Sequence, residues 1–358
     1  MELSKEASLS DLRAAFNGAL ADFVREENRY LRSVGPELNP VADALERFLL
    51  DSGKRLRPLF GYVGYLGTGA TPTPAVIKAT SALELIHVCA LIHDDVMDGS
   101  DTRRGAPAIH KAFEQIHIDQ GLDGSAAQFG ISSAILLGDL ALIWASKLLH
   151  QAGLESSALI RALPLYDEMR VELMAGQYLD VYEQALASSN VERSLRVARF
   201  KSGKYTIERP LHFGAALGTA TPEAYLARYS EYGLPLGEAF QLRDDVLGVF
   251  GDPQETGKPA GDDLREGKRT VLMAMTHERA SLAQREVIKD LLGNQEITLA
   301  GVNTLREIIT ETGALIELEK TIEALTDRAL AAIHHPEIDP VAQKHLDDLV
   351  TIAIRRSI

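Results

Sequence analysis

Asp94, Asp95 and Asp98 fall within five residues of the stretch LIHDDVMDGSDTRRG (Leu91–Gly105), and Arg103 and Arg104 follow almost at once. On a helix Asp94 and Asp98, four residues apart, share a face, where like charges repel by roughly a few tenths of a kcal/mol unless something offsets them. A second pair, Asp244 and Asp245, closes FQLRDD (Phe240–Asp245), 150 residues beyond the first. Carboxylates suit hard divalent ions, and Mg2+ takes one or two of them and fills its shell with water and phosphate oxygens. Two helix-borne pairs facing each other predict a Mg2+ site that receives a diphosphate.

A diphosphate also needs donors. GKRLRP (Gly53–Pro58) supplies Lys54, Arg55 and Arg57, KSGKYT (Lys201–Thr206) supplies Lys201, and TGKPAGDDLREGK (Thr256–Lys268) supplies Lys258 and Lys268. Each patch alone reads as surface decoration; together, beside two aspartate pairs, they read as anion sites. His87 lies seven residues before Asp94, two helical turns back. GxxxxGK[ST] is absent, so no P-loop holds the phosphates. No Ser-His-Asp or Cys-His constellation suggests a side-chain nucleophile.

The elements that must position these groups are helices. Helical periodicity runs through nearly the whole chain, and alternating apolar and polar runs bounded by turns are scarce, which predicts an all-α fold. Leu12, Phe16, Leu20 and Phe23 draw one apolar stripe, with Ser10 as the expected cap. Breaks fall at Gly67–Pro74, Gly121–Ser125, Ser188–Asn190, Gly251–Gly261 and His335–Pro340; none is long enough for an interdomain linker. One domain over residues 1–358 is expected, a large helical bundle around a central cavity. Gly130–Leu149 is apolar enough to suggest a membrane span, but Gly138 and Asp139 interrupt it, and a buried helix is the expectation.

Lys and Arg number 37 against 51 Asp and Glu, a net charge of -14, which excludes the basic face a nucleic-acid surface needs. Cys89 is the single cysteine, so no intrachain disulfide forms and a reducing, cytoplasmic setting is expected. The start, MELSKEASLSDLRAAF, carries charges where a secretory signal would place its apolar run.

GKRLRP, HDDVMD followed by RRG, KS, FQLRDD, and GK with a later GK stand in the order and spacing of the trans-type isoprenyl diphosphate synthases. The chain resembles that polyprenyl synthetase family over nearly its whole length. The resemblance implies Mg2+-dependent head-to-tail condensation of isopentenyl diphosphate with an allylic diphosphate, in a homodimer. It assigns Asp94, Asp98 and Asp244 to Mg2+, three ions per site with diphosphate bound, and makes Asp95 and Asp245 adjacent acids that orient ligands and waters. Arg103, Lys201, Gln241, Lys258 and Lys268 would grip the allylic diphosphate; Lys54, Arg57, His87 and Arg104 would hold that of isopentenyl diphosphate. His93 and His110 stay structural, and Asp263 matches an aspartate that can join the second metal shell. One departure is Gly248, which stands where many relatives carry a third aspartate; Asp252 is a possible supplement.

Product length is expected to follow from the helix that ends near Asp94. Residues one, two and three turns back lie roughly 5, 11 and 16 Å deeper. Cys89 and Ala90 are small where farnesyl-making relatives often carry bulk, so the first level is open, and Ile86 and Leu83 come next as a floor. That predicts C20, geranylgeranyl diphosphate. Alternatives are a farnesyl or longer-chain synthase, a class I terpene cyclase, which has no second diphosphate to bind, and a non-catalytic helical subunit.

Overall fold

The computed structural model describes residues 4–50, 53–187, 189–252 and 261–354. It is helical almost throughout: α1 Leu9–Val34, α2 Asn39–Leu50, α3 Leu56–Leu66, α4 Pro74–Asp98, α5 Ile109–Asp119, α6 Ala126–His150, α7 Ser156–Ala185, α8 Val191–Val197, a π-wound run Ala198–Glu208, α9 Arg209–Gly218, α10 Glu223–Phe250, α11 Asp262–Glu266, α12 Val271–Arg279, α13 Leu282–Leu291, α14 Leu299–Glu311, α15 Ala314–Ile333 and α16 Pro340–Ile354. Among the described residues the strands are one antiparallel pair, Thr102–Arg103 with Ala106–Pro107. The all-α class expected from periodicity is what the chain adopts.

The chain forms two compact units, one of residues 1–165, 210–225 and 337–345, the other of residues 166–209, 226–336 and 346–358. In the first, α4 is the central helix and packs on α3, α6, α1 and α2. The stripe Leu12, Phe16, Leu20 and Phe23 of α1 is buried as its spacing predicts, each such side chain contributing about 1.5–3 kcal/mol. The cap differs from the expectation: Ser8, not Ser10, begins α1, its hydroxyl accepting from Asp11 N at 3.2 Å while Ser8 N donates to the Asp11 carboxylate at 3.1 Å. This reciprocal pair satisfies two helix-end groups at once, and Ser10 lies inside the helix.

α3 and α9 touch backbone to backbone. A Cβ at Gly214 would lie 1.9 Å from Gly61 O, and one at Gly64 2.3 Å from Leu211 O, so only glycine permits the approach. α6 makes room for a side chain of α4, since a Cβ at Gly138 would lie 2.1 Å from His93 Nε2. That explains the glycine in the middle of the apolar segment.

The expectation that this segment is a buried helix holds for one face. Ala134, Leu137, Ala141, Trp144, Ala145 and Leu148 are buried, whereas Phe129, Leu136 and Ile143, seven apart, are exposed by 37%, 66% and 62%. By length and composition α4 and α6 could each cross a membrane. α4 instead spends that apolar surface on the core of its own unit, and α6 carries the charged, exposed Asp139.

In the second unit α12 packs on α8 and α15, α14 lies between α13 and α15, and the π-wound run abuts α8. Glycines again set the closest contacts. A Cβ at Gly176 of α7 would lie 2.3 Å from Lys201 N, and one at Gly237 of α10 2.6 Å from Gly203 O.

Candidate active site

α4 carries the first acidic cluster on its last turns. Thr73 caps its start, accepting from Val76 N at 3.3 Å, and Gly99 ends it in the left-handed conformation, its N–H bonded to Asp95 O. Glycine adopts that geometry without strain, so the helix stops at Asp98. His87, Ala90, Leu91, Asp94 and Asp98 recur at three- and four-residue spacing and are all half-buried; they share one face of a helix that is otherwise mostly buried.

Asp95, one residue on, is rotated about 100° from Asp94 and points inward, 0% exposed. It accepts from Arg103 Nε at 2.9 Å and also from an Arg103 Nη, while that guanidinium stands 3.9 Å from Asp94. The chain turns back just after Gly99, with Ser100 N donating to Asp95 O at 3.0 Å, and Arg103 then lies on the first strand of the small hairpin. Arg104 (φ 53°) and Gly105 (φ 76°) form its two-residue tip, the pair of positive φ values that a type I′ turn requires. Gly105 holds that geometry freely; Arg104 holds it at a cost of about 1–2 kcal/mol, with its guanidinium 5.9 Å from the Phe48 ring centre.

On the same unit lie the groups assigned to isopentenyl diphosphate. Lys54 is exposed, Arg57 buried and His87 half-buried. Desolvation, then the guanidinium charges of Arg57, Arg104, Arg103 and Arg55, hold the His87 imidazole well below its ordinary pKa. At neutral pH it is a neutral ring that can donate one N–H without adding to the cationic charge.

The second acidic cluster, in the other unit, repeats the design. Asp244 is half-buried and Asp245 is 4% exposed. Asp245 accepts from Gln241 Nε2 at 2.8 Å and from Val271 N at 3.2 Å, so it pins the start of α12. Burial above all raises its pKa to about 8, with Asp263 and Asp244 adding to the rise and the two hydrogen bonds opposing it. In both pairs, then, the first carboxylate is accessible and the second is an inward anchor held by the protein.

Lys201 sits on the π-wound run with its Nζ 2.6 Å from Asp180 of α7, a residue only 8% exposed. Asp180 escaped the sequence reading; its signal was GQYLD (Gly176–Asp180), where a polar Gln and Asp stand on a helix that packs at Gly176. Lys268 Nζ lies 3.2 Å from Asp263 and 2.6 Å from Glu266. Lys258 lies outside the described residues. Of the residues kept structural, His93 spans α4 and α6, with Nε2 3.0 Å from Ile135 O, and His110 is buried.

Gly248 has a spatial explanation. A Cβ there would lie 1.8 Å from Asp263 Oδ2, so the Asp263 carboxylate fills the space a third aspartate of the motif would enter. Asp252 is exposed. Gly248→Asp is therefore expected to lower rather than raise activity, by about tenfold, and Asp263→Ala in the same chain to recover part of it. Steady-state rates for the two variants check this; a rise for Gly248→Asp alone would contradict it.

Mg2+ fits this donor set. Among the described residues no three His, Cys, Asp or Glu side chains gather as a dedicated cage, and Mg2+ does not need one, since it binds through one or two carboxylates plus substrate phosphates. Asp94 and Asp98 bring two hard oxygen-donor carboxylates to one face of α4, the oxygens of Asp98 being buried there, and Asp244 offers another.

The comparisons with known proteins agree with this arrangement. A family model described as Polyprenyl synthetase matches residues 39–309. A geranylfarnesyl diphosphate synthase of Aeropyrum pernix is 31% identical over 85% of this chain and 90% of its own. A geranylgeranyl diphosphate synthase of Saccharolobus solfataricus is 28% identical over 98% and 99%. The crystal structure of geranylgeranyl pyrophosphate synthase from Corynebacterium glutamicum, complexed with isoprenyl diphosphate and magnesium, superimposes with a TM-score of 0.94 at 38% identity, covering 98% of this chain and 100% of that one. With its two carboxylate pairs, its flanking cations and its all-helical frame, the chain belongs to the polyprenyl synthetase family.

Proposed function

We propose that this chain is a prenyltransferase that joins isopentenyl diphosphate head-to-tail to an allylic diphosphate, forming geranylgeranyl diphosphate and releasing pyrophosphate, and that residues 1–358 work as one synthase domain. The observation that carries this reading is the shared construction of the two aspartate pairs, each with one accessible carboxylate and one anchored by Arg103 or by Gln241 and Val271 N. Asp94, Asp98 and Asp244 would hold Mg2+, three ions with diphosphate bound, which supplies electrophilic stabilisation of the departing diphosphate.

Arg103, Lys201, Gln241, Lys258 and Lys268 donate to the allylic diphosphate, most strongly as the C–O bond breaks and its electron pair passes to the leaving oxygen. The alkene of isopentenyl diphosphate attacks the allylic carbon, and the proton lost from the new cation passes to the departing pyrophosphate. Lys54, Arg57 and Arg104 neutralise the second diphosphate, and neutral His87 donates to it. Ala90 and Leu91, next to Asp94 on the same face of α4, are apolar and disfavour the water that would trap the cation as an alcohol. A cyclase has no use for this second cationic set, which favours condensation.

Arg104→Ala and His87→Ala are expected to raise KM for isopentenyl diphosphate about tenfold, by loss of a charge-assisted or neutral hydrogen bond, and to change KM for the allylic substrate little. Arg103→Ala does the reverse. Separate titration of each substrate tests the assignment, and equal effects on both would contradict it.

The exposed stripe Phe129, Leu136 and Ile143 on α6 is best explained by a second copy of the chain, which makes the cytoplasmic enzyme a homodimer. Leu136→Glu is expected to sediment as a monomer; a wild-type chain that is already monomeric at micromolar concentration would refute the dimer.

A further inference from the structure

The buried guanidinium of Arg55 is a group that the proposed chemistry leaves unused. It lies between Lys54 and Arg57, both assigned to isopentenyl diphosphate, yet it is only 2% exposed and faces the protein. Its Nε donates to Asn17 Oδ1 of α1 at 2.8 Å, one Nη to Glu84 Oε1 of α4 at 2.8 Å, and the other to Leu49 O of α2 at 2.7 Å. One planar fork thus joins three helices to the loop that carries the cations.

The backbone is bent to allow it. Arg55 stands at φ 53°, the left-handed region that glycine adopts freely and arginine does not, and it is the residue immediately before α3. Gly53 lies directly over the pair: a Cβ there would meet Arg55 Nη1 at 2.8 Å and Glu84 Oε1 at 3.2 Å. Glu84 is 2% exposed and sits three residues before His87 on α4, so the same carboxylate that takes Arg55 is fixed to the helix face that presents His87. The charge of Arg55 also helps to keep His87 neutral.

We propose that the Arg55–Glu84 pair is a positioning device for the homoallylic diphosphate: it fixes the Gly53–Arg55 segment and the start of α3 against α4 so that Lys54, Arg57 and His87 meet one diphosphate together. Neither residue touches substrate. This rests on the assignment of those three residues to isopentenyl diphosphate, which it extends.

Arg55→Lys keeps the charge but loses the fork, and Glu84→Gln keeps the shape but loses the charge. Calorimetric titration with isopentenyl diphosphate alone, which has no partner to react with, is expected to show binding weakened about tenfold or more in both. KM for the allylic substrate should move less than about threefold, because that ligand uses other groups. Thermal melting is recorded alongside, and Asn17→Ala, which removes only the contact to Nε, serves if either variant fails to fold; about a threefold weakening is expected there. Folded variants that bind isopentenyl diphosphate as tightly as wild type, or that lose both substrates equally, overturn the proposal. A wild-type chain that binds isopentenyl diphosphate through neither Arg57 nor His87, judged by their alanine variants, overturns the parent assignment instead, and this inference with it.

Discussion

Asp94→Ala and Asp244→Ala are each expected to lower kcat by about three orders of magnitude, with the far-ultraviolet circular dichroism unchanged. The size follows from charge: a carboxylate that holds Mg2+ on a leaving diphosphate acts mainly as negative charge develops, and losing several kcal/mol there gives a factor of about a thousand. The fold should survive because Asp94 and Asp244 are only half-buried, unlike their neighbours Asp95 and Asp245. Asp95 and Asp245 should behave differently. Asp95 neutralises Arg103 and Asp245 pins Val271 N, so alanine there removes a buried partner and costs stability as well as rate. Equal melting temperatures in all four variants would contradict the division of each pair into one accessible and one anchoring acid.

Ala90→Phe is expected to shift the main product from C20 to C15. Ala90 is half-buried and lies four residues before Asp94 on the same face of α4, so a benzyl group there intrudes roughly one turn, about 5 Å, beyond the carboxylate proposed to hold Mg2+. Cys89, the other small residue of that level, is 0% exposed and its Sγ lies 3.8 Å from His93 Nδ1. Phenylalanine at Cys89 would press on the α4–α6 contact and is expected to lower thermal stability first. Deeper along the helix Ile86 is fully buried, and Leu83 packs its Cδ1 3.1 Å from where a Cβ of Gly61 would stand; Ile86→Ala with Leu83→Ala tests whether these two form the floor. Product chromatography reads both outcomes, and an unchanged C20 product in Ala90→Phe would place the floor elsewhere.

Much of this is legible in the sequence, because helical spacing is a local property. The stripe from Leu12 to Phe23 and the shared face of Asp94 and Asp98 follow from 3.6 residues per turn. What spacing could not supply is the partner across the fold. That Asp245 serves the start of α12 depends on Val271, 26 residues away, and that Arg103 reaches Asp95 depends on the chain reversing after Gly99, which the acidic motif does not itself encode. Gly248 read as a missing ligand, and it becomes a space-making residue once Asp263 is seen to occupy its place. The apolar run of α6 read as buried, since composition cannot show which face lacks a neighbour within the chain. The π winding that carries Lys201, wedged at Gly176 and Gly203 by close backbone contacts, left no periodic trace.

Condensation to a C20 product is read in one incubation: the wild-type chain with Mg2+, isopentenyl diphosphate and farnesyl diphosphate, followed by chromatography of the prenyl products by length. The expected result is geranylgeranyl diphosphate with an equal amount of pyrophosphate, and no product when the metal is chelated. Failure to condense, a cyclised hydrocarbon made from farnesyl diphosphate alone, or a main product of C30 or longer would contradict it.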